Sequence, residues 1–264
     1  MIYSQILMIC LIGTSIISTF KKNDATFLGT KSEVNFHKSE TTALSDEQDD
    51  YIDFINSDAN GMLACRGAYN GTDYKMQFYS YYWDNNQNPV TYHSLDYKDV
   101  SVSKEGNTFN KPFYNVTSSL FGTTHVALLM KNATDTIYYD SLYAPKALKW
   151  SYSPADTPIT SSTVINWTAD NNNPKGVIIT VDFSPTHNMH DSLMRNSDPI
   201  KNQAHVVDDG SYTMGSGLFS GISSGAYVIV AVSRGNYKKL PSKQNDDEYK
   251  WTILMREQAK LEYN

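Results

Sequence analysis

The segment AYVIVAVSR at residues 226–234 is apolar on both faces of an extended chain: Tyr227, Ile229 and Ala231 alternate with Val228, Val230 and Val232. β-Branched residues at nearly every step favour a pleated strand over a helix. A strand with two apolar faces belongs at the centre of a sheet whose outer face is also covered. The rest of the chain must therefore supply flanking strands and covering layers. VIITVDF at 177–183 sets Val177, Ile179, Val181 and Phe183 against Ile178, Thr180 and Asp182, a half-buried alternation, and YKWTILMRE at 249–257 is a further strong strand. The 19 tyrosines, with abundant Ser, Thr and Asn, suit strands joined by polar turns.

The first half is β-rich as well. DYKMQFYSYYW (73–83) is followed by the turn DNNQNP, and then VTYHSLDY, DVSVS, HVALLMK and TIYYDSLY come at the short spacing of an all-β domain. KEGN between VSVS and TF has the composition of a hairpin turn. Pro145 marks the entry to a second block, with ALKWSY as its first strand. The expected fold is all-β, with two β-sandwich-like modules at 51–142 and 143–264.

ILMICLIGTSII at 6–17 has the length of a signal-peptide core, and extending it to Phe20 gives a minimal membrane anchor. Residues 1–20 are therefore expected to act as a signal peptide or anchor, and to be the only part that contacts a membrane. Residues 21–50 lack sustained apolar periodicity and form a polar linker. SDEQDDYIDFIN at 45–56 can form one short helix, with Ser45 as N-cap and Gln48 at the capping-box position. Cys10 falls in the leader, which leaves Cys65 as a lone, small, apolar residue without an internal disulfide partner.

Asp208, Gly210 and Tyr212 spell D-x-G-x-Y, the run that precedes a disulfide cysteine in immunoglobulin strand F, but Met214 stands at the cysteine position. Two strands follow it where an immunoglobulin domain has room for one. SSTVINWTADNNNPKGVIITVDFSP instead resembles strands B and C of the fibronectin type III fold and related Ig-like sandwiches, with Trp167 ending strand B in the core. On that resemblance DDGSYTM is a turn feeding strand E, 226–234 is strand F with Tyr227 near the corner tyrosine, and YKWTILMREQAKLEY is strand G. The junction STFKKND, together with INWTADNNN, DDGSYT and RGN, resembles exported, lipoprotein-like proteins of Bacteroidota that join a variable β module to an Ig-like one. Phe20 stands where those proteins carry the lipidated cysteine. The resemblance implies export to the cell envelope or beyond, and it implies no activity.

Three sets of residues carry candidate chemistry. In YKMQFYSYYW the alternation puts Tyr74, Met76, Phe78 and Tyr82 on one face and Lys75, Gln77, Tyr79, Tyr81 and Trp83 on the other. Tyr79, Tyr81 and Trp83, at two-residue spacing, form a ring platform of about 7 Å per step that suits stacking on sugar rings. The simpler reading buries both faces. His187, His190 and His205 crowd the polar segment SPTHNMHDSLMRNSDPIKNQAHVVDD with Asp191, Asp208 and Asp209, a set that could hold zinc or a calcium-like ion if the loop folds back. The simpler reading is solvated loop residues. GISSG at 221–225 matches the nucleophile elbow, but that motif needs a following helix and a later histidine, whereas a strand follows and every histidine precedes Ser223.

A formal charge of −6 and a pI near 5.5, without clustered Lys and Arg, argue against a nucleic-acid partner. The expected product is an exported, non-catalytic, cofactor-free binding protein whose partner is a glycan or a surface protein. The alternatives are a structural or assembly component of the cell envelope and, less favoured, a metal-dependent enzyme centred on the histidines.

Overall fold

A computed structural model describes residues 59–264, apart from 70–72, 85, 87, 99, 101, 107, 156, 190, 192 and 244–246; the side chains of 112–114 are also outside the description. The expected leader, linker and short helix at 45–56 lie outside the described residues. No helix among those described is long and apolar enough to cross a membrane.

The described chain is all-β. Its strands are β1 (Gly61–Tyr69), β2 (Tyr74–Tyr82), β3 (Ser94–Tyr97), β4 (Ser103–Glu105), β5 (Thr108–Val116), β6 (Thr123–Met130), β7 (Thr136–Ala144), β8 (Trp150–Ser153), β9 (Val164–Trp167), β10 (Val177–Phe183), β11 (Ile200–Val206), β12 (Ser211–Thr213), β13 (Tyr227–Pro241) and β14 (Glu248–Glu262). One eight-stranded sheet runs β11-β10-β13-β14-β1-β2-β5-β4, and two three-stranded sheets run β12-β9-β8 and β3-β6-β7.

The strands that the type III resemblance labelled B and E are β9 and β12, and they share one sheet with β8, the first strand of the second block. Those labelled C, F and G are β10, β13 and β14, and they lie side by side in the other. Val228, Val230 and Val232 point into the core and are fully buried. Each contributes roughly 1.5–3 kcal/mol. Trp167 is buried at the end of β9, and Met214 is buried with no need of a disulfide. Tyr227 departs from expectation. It is only half-buried, because its strand phase turns it to the opposite face, where Lys260 Nζ stands 4.7 Å from its ring centroid.

The long hairpin of β13 and β14 joins the two halves. Their proximal parts pair beside β10, and from Gly235 and Leu254 onward both strands continue, so that β14 meets β1 in parallel, Gly61 opposite Tyr249 through Gly67 opposite Met255. Strands of both 51–142 and 143–264 share the eight-stranded sheet, and one hydrophobic cluster includes residues of both halves. β5 contains Pro112, and the β2–β5 register shifts between Met76 and Phe78 opposite it. A bulge accommodates a residue that cannot donate to the ladder.

Both small sheets cover the same face of the large one. β7 reaches it where Asn236 Nδ2 donates to Tyr143 O at 3.1 Å, and β8 where Trp150 N donates to Glu257 Oε2 at 2.9 Å. Under β3-β6-β7 lies an aromatic core. The Tyr82 and Tyr138 hydroxyls are 2.9 Å apart, those of Tyr92 and Tyr249 are 2.7 Å apart, and Phe78 meets Tyr97 edge-on at 4.4 Å. Burying a hydroxyl is tolerated because each finds a partner.

At the junction of the halves a buried ion pair ties five segments together. Arg234 Nη2 lies 2.8 Å from Asp208 Oδ1, with side chains 0% and 2% exposed. Asp208 also accepts from Trp167 Nε1 at 2.8 Å and Asn173 Nδ2 at 2.9 Å, while Arg234 donates to Thr168 O and Lys146 O. Burial pushes the guanidinium pKa down and Asp208 opposes it. The aspartate of D-x-G-x-Y thus anchors the polar loop of 168–176 to strand β13.

Candidate functional site

The two faces of β2 divide as the alternation requires. Met76, Phe78 and Tyr82 are buried inward, and Tyr79, Tyr81 and Trp83 turn outward, half-buried. Tyr79 and Tyr81 stack with ring centroids 6.4 Å apart and planes 22° from parallel; Tyr81 and Trp83 follow at 4.5 Å and 54°. The first spacing is close to the two-residue strand repeat of about 7 Å, so the pleat sets it. Arg66, on neighbouring β1, places its guanidinium carbon 6.0 Å from the Tyr79 centroid.

Burial pushes the Tyr79 phenol pKa up, with Arg66 opposing, and burial likewise pushes the Tyr81 phenol up, with Tyr79 adding to the shift. Both hydroxyls stay neutral at physiological pH, and that of Tyr81 donates to Met62 Sδ at 3.6 Å. Asn110, opposite Tyr79 on β5, has a buried carbonyl oxygen Oδ1 without a partner among the described residues. The three rings form a stepped apolar strip, Trp83 tilted 54° from Tyr81, and the Asn110 oxygen lies buried beneath its neighbours.

The adjacent turn is less available than its composition suggests. Asp84 accepts from Asn86 N at 2.8 Å, Asn88 N at 2.9 Å and Asn88 Nδ2 at 3.2 Å, and these bonds lower its pKa. Its carboxylate closes its own turn.

The described histidines do not converge. His205 lies on β11, a strand where a loop was expected, and its Nε2 is 2.6 Å from Lys175 O. His187 follows the far end of β10, in a short helical turn. His205 pairs with Ile178 at the start of β10, so a seven-residue strand, roughly 20 Å, separates the two. His190 lies outside the described residues, and no group of three metal-binding side chains occurs among those described. The polar sequence of β11 hid a strand whose Asn202 and Ala204 face inward. Ser223 sits in an exposed turn that runs directly into β13, so the strand–serine–helix geometry of the nucleophile elbow is not formed.

One concavity lies apart from the ring strip. A groove of about 390 Å³ opens between β9, β12 and the end of β11, lined by Val164, Val206, Val207, Tyr212 and Thr213 among others. Sequence reasoning missed it because it arises where two sheet edges meet. No family model, no curated protein and no solved structure matches this chain.

Proposed function

We propose that this is an exported, non-catalytic binding protein that recognises a glycan through the outward ring strip of β2. The carrying observation is the run of Tyr79, Tyr81 and Trp83 along one strand face, with the first two ring planes 22° from parallel and their centroids 6.4 Å apart. Pyranose rings present apolar C–H faces that stack on aromatic rings, and the neutral Tyr79 phenol is matched to sugar hydroxyls. A rigid sheet holds the rings in register without a loop having to order on binding.

A glycan array probed with the whole chain tests this reading. Binding to a defined class of oligosaccharide, lost in both Tyr79→Ala and Trp83→Ala, supports it. A blank array, or binding unchanged in both variants, rejects it.

A second reading, an assembly component of the cell envelope, draws on the groove beside β12, where Val207 is 49% exposed next to the edge strands β11 and β12. An extended segment of a partner chain would pair with such an edge. Stable co-purification of a protein partner, abolished by Val207→Asp and accompanied by no sugar binding, favours this role.

A further inference from the structure

The ring strip of β2 shares its face of the large sheet with two arginines. Strand register sets Tyr81 opposite Met62 and Tyr79 opposite Ala64, so the outward phase of β1 runs on to Arg66. Arg66 lies opposite Leu254 in the parallel pairing, and the next outward residue of β14 is Arg256. One strand spacing across and one two-residue step along put the two Cα atoms roughly 8 Å apart. The first and last strands of the described chain thus bring a guanidinium pair beside Tyr79, and no run of basic residues in the sequence announces it.

The pair is poorly neutralised. No ion pair among the described residues involves Arg66, whose guanidinium carbon stands 6.0 Å from the Tyr79 centroid. Arg256 Nη2 is 3.6 Å from Asp182 Oδ2, too long for a hydrogen bond, and its Nε is buried without a partner among the described residues. The Arg256 side chain is still 40% exposed, so a ligand can reach it. Burial lowers the Arg256 pKa, Asp182 opposes this, and Arg66 adds like-charge repulsion. In a chain with a formal charge of −6, two cations that repel one another and share a single long ion pair are a local reversal of sign.

We propose that the glycan taken by the β2 rings is acidic, with a uronate carboxylate or a sulfate ester held between Arg66 and Arg256 while the sugar beside it stacks on Tyr79. The inference rests on the glycan reading of the ring strip and names its ligand class. Guanidinium forks match the paired oxygens of such anions. Stacking favours any pyranose, and the arginine pair selects those that carry negative charge. Asp182 competes with the ligand for Arg256.

An array of neutral, uronate-bearing and sulfated oligosaccharides, with single-stranded oligonucleotides alongside, probed with the whole chain tests this. The bound glycans should be acidic, and their carboxyl-reduced or desulfated counterparts should bind about tenfold or more weakly, a comparison that needs no variant. Arg66→Gln and Arg256→Gln should each lower affinity for the acidic glycan by about tenfold, the loss of one charge-assisted contact. Asp182→Asn should raise it. Neutral glycans bound as tightly as acidic ones, with binding still lost in Tyr79→Ala, would overturn the acidic ligand and leave the ring strip standing, whereas a blank array would remove both. Acidic glycans bound equally well by both arginine variants would also overturn the inference, as would oligonucleotides bound more tightly than any glycan.

Discussion

Acidification should weaken this fold through one buried histidine. His125 on β6 is fully buried; its Nε2 lies 2.7 Å from Leu120 O and its Nδ1 2.6 Å from the Tyr97 hydroxyl. The carbonyl can only accept, so Nε2 carries the proton and Nδ1 accepts from Tyr97. Protonating Nδ1 would bury a charge and force the Tyr97 hydroxyl to turn from donor to acceptor. Burial therefore pushes the pKa down to about 4, the Leu120 carbonyl opposing and Lys98 adding to the shift.

The unfolded chain takes up the proton near the ordinary value of about 6.5, while the folded chain resists until about pH 4. Stability from this group is intact above about pH 6.5 and falls as the pH drops toward 4, by about 3 kcal/mol in all at 1.36 kcal/mol per pH unit. Urea unfolding of the wild type and His125→Gln from about pH 7 to pH 4.5 separates this loss from that of the carboxylates. The wild type should lose about 2.5 kcal/mol more than the variant over that range. Parallel curves for the two proteins would refute the buried neutral tautomer.

Breaking the junction ion pair by Asp208→Ala should cost about 3–5 kcal/mol, read as a fall in urea midpoint, because it leaves Arg234 charged and buried without its carboxylate. Lys98 holds φ at 46° at the end of β3, a conformation unfavourable to an L side chain. Lys98→Gly should therefore raise the melting temperature, with a gain of about 0.5–1 kcal/mol. Gly176→Ala should be strongly destabilising, since φ is +67° and the added Cβ would lie 2.3 Å from Val206 O; a wild-type melting temperature would contradict the close approach of that loop to β11.

Much of this architecture was legible where side-chain period and burial agree. β2, β6, β7, β10 and the proximal part of β13 announce themselves by alternation, and the outward set of β2 was read correctly from phase alone. The distal part of β13 was not, because Gly235, Asn236, Lys238 and Pro241 carry turn and surface signals. Pairing with β14 and cover from β7 override those local preferences. β11 failed for a related reason: its inward positions include Asn202, which is buried by donating to Leu218 O and Ser220 O rather than by being apolar. The parallel β1–β14 pairing joins residues nearly the whole chain apart, and no local pattern encodes it. In the candidate site, the rings were visible as strand phase. Their mutual stacking, Asn110 alongside and the internal use of Asp84 required neighbouring strands and turn geometry.

Tryptophan fluorescence during titration with a glycan identified on the array is the most direct measurement of recognition through β2. Trp83 is half-buried on the ring strip, while Trp150, Trp167 and Trp251 are buried inside. The account predicts a saturable change in emission that disappears in Trp83→Phe. A signal that survives Trp83→Phe unaltered, or calorimetric binding with emission unmoved, would place the ligand elsewhere on the protein.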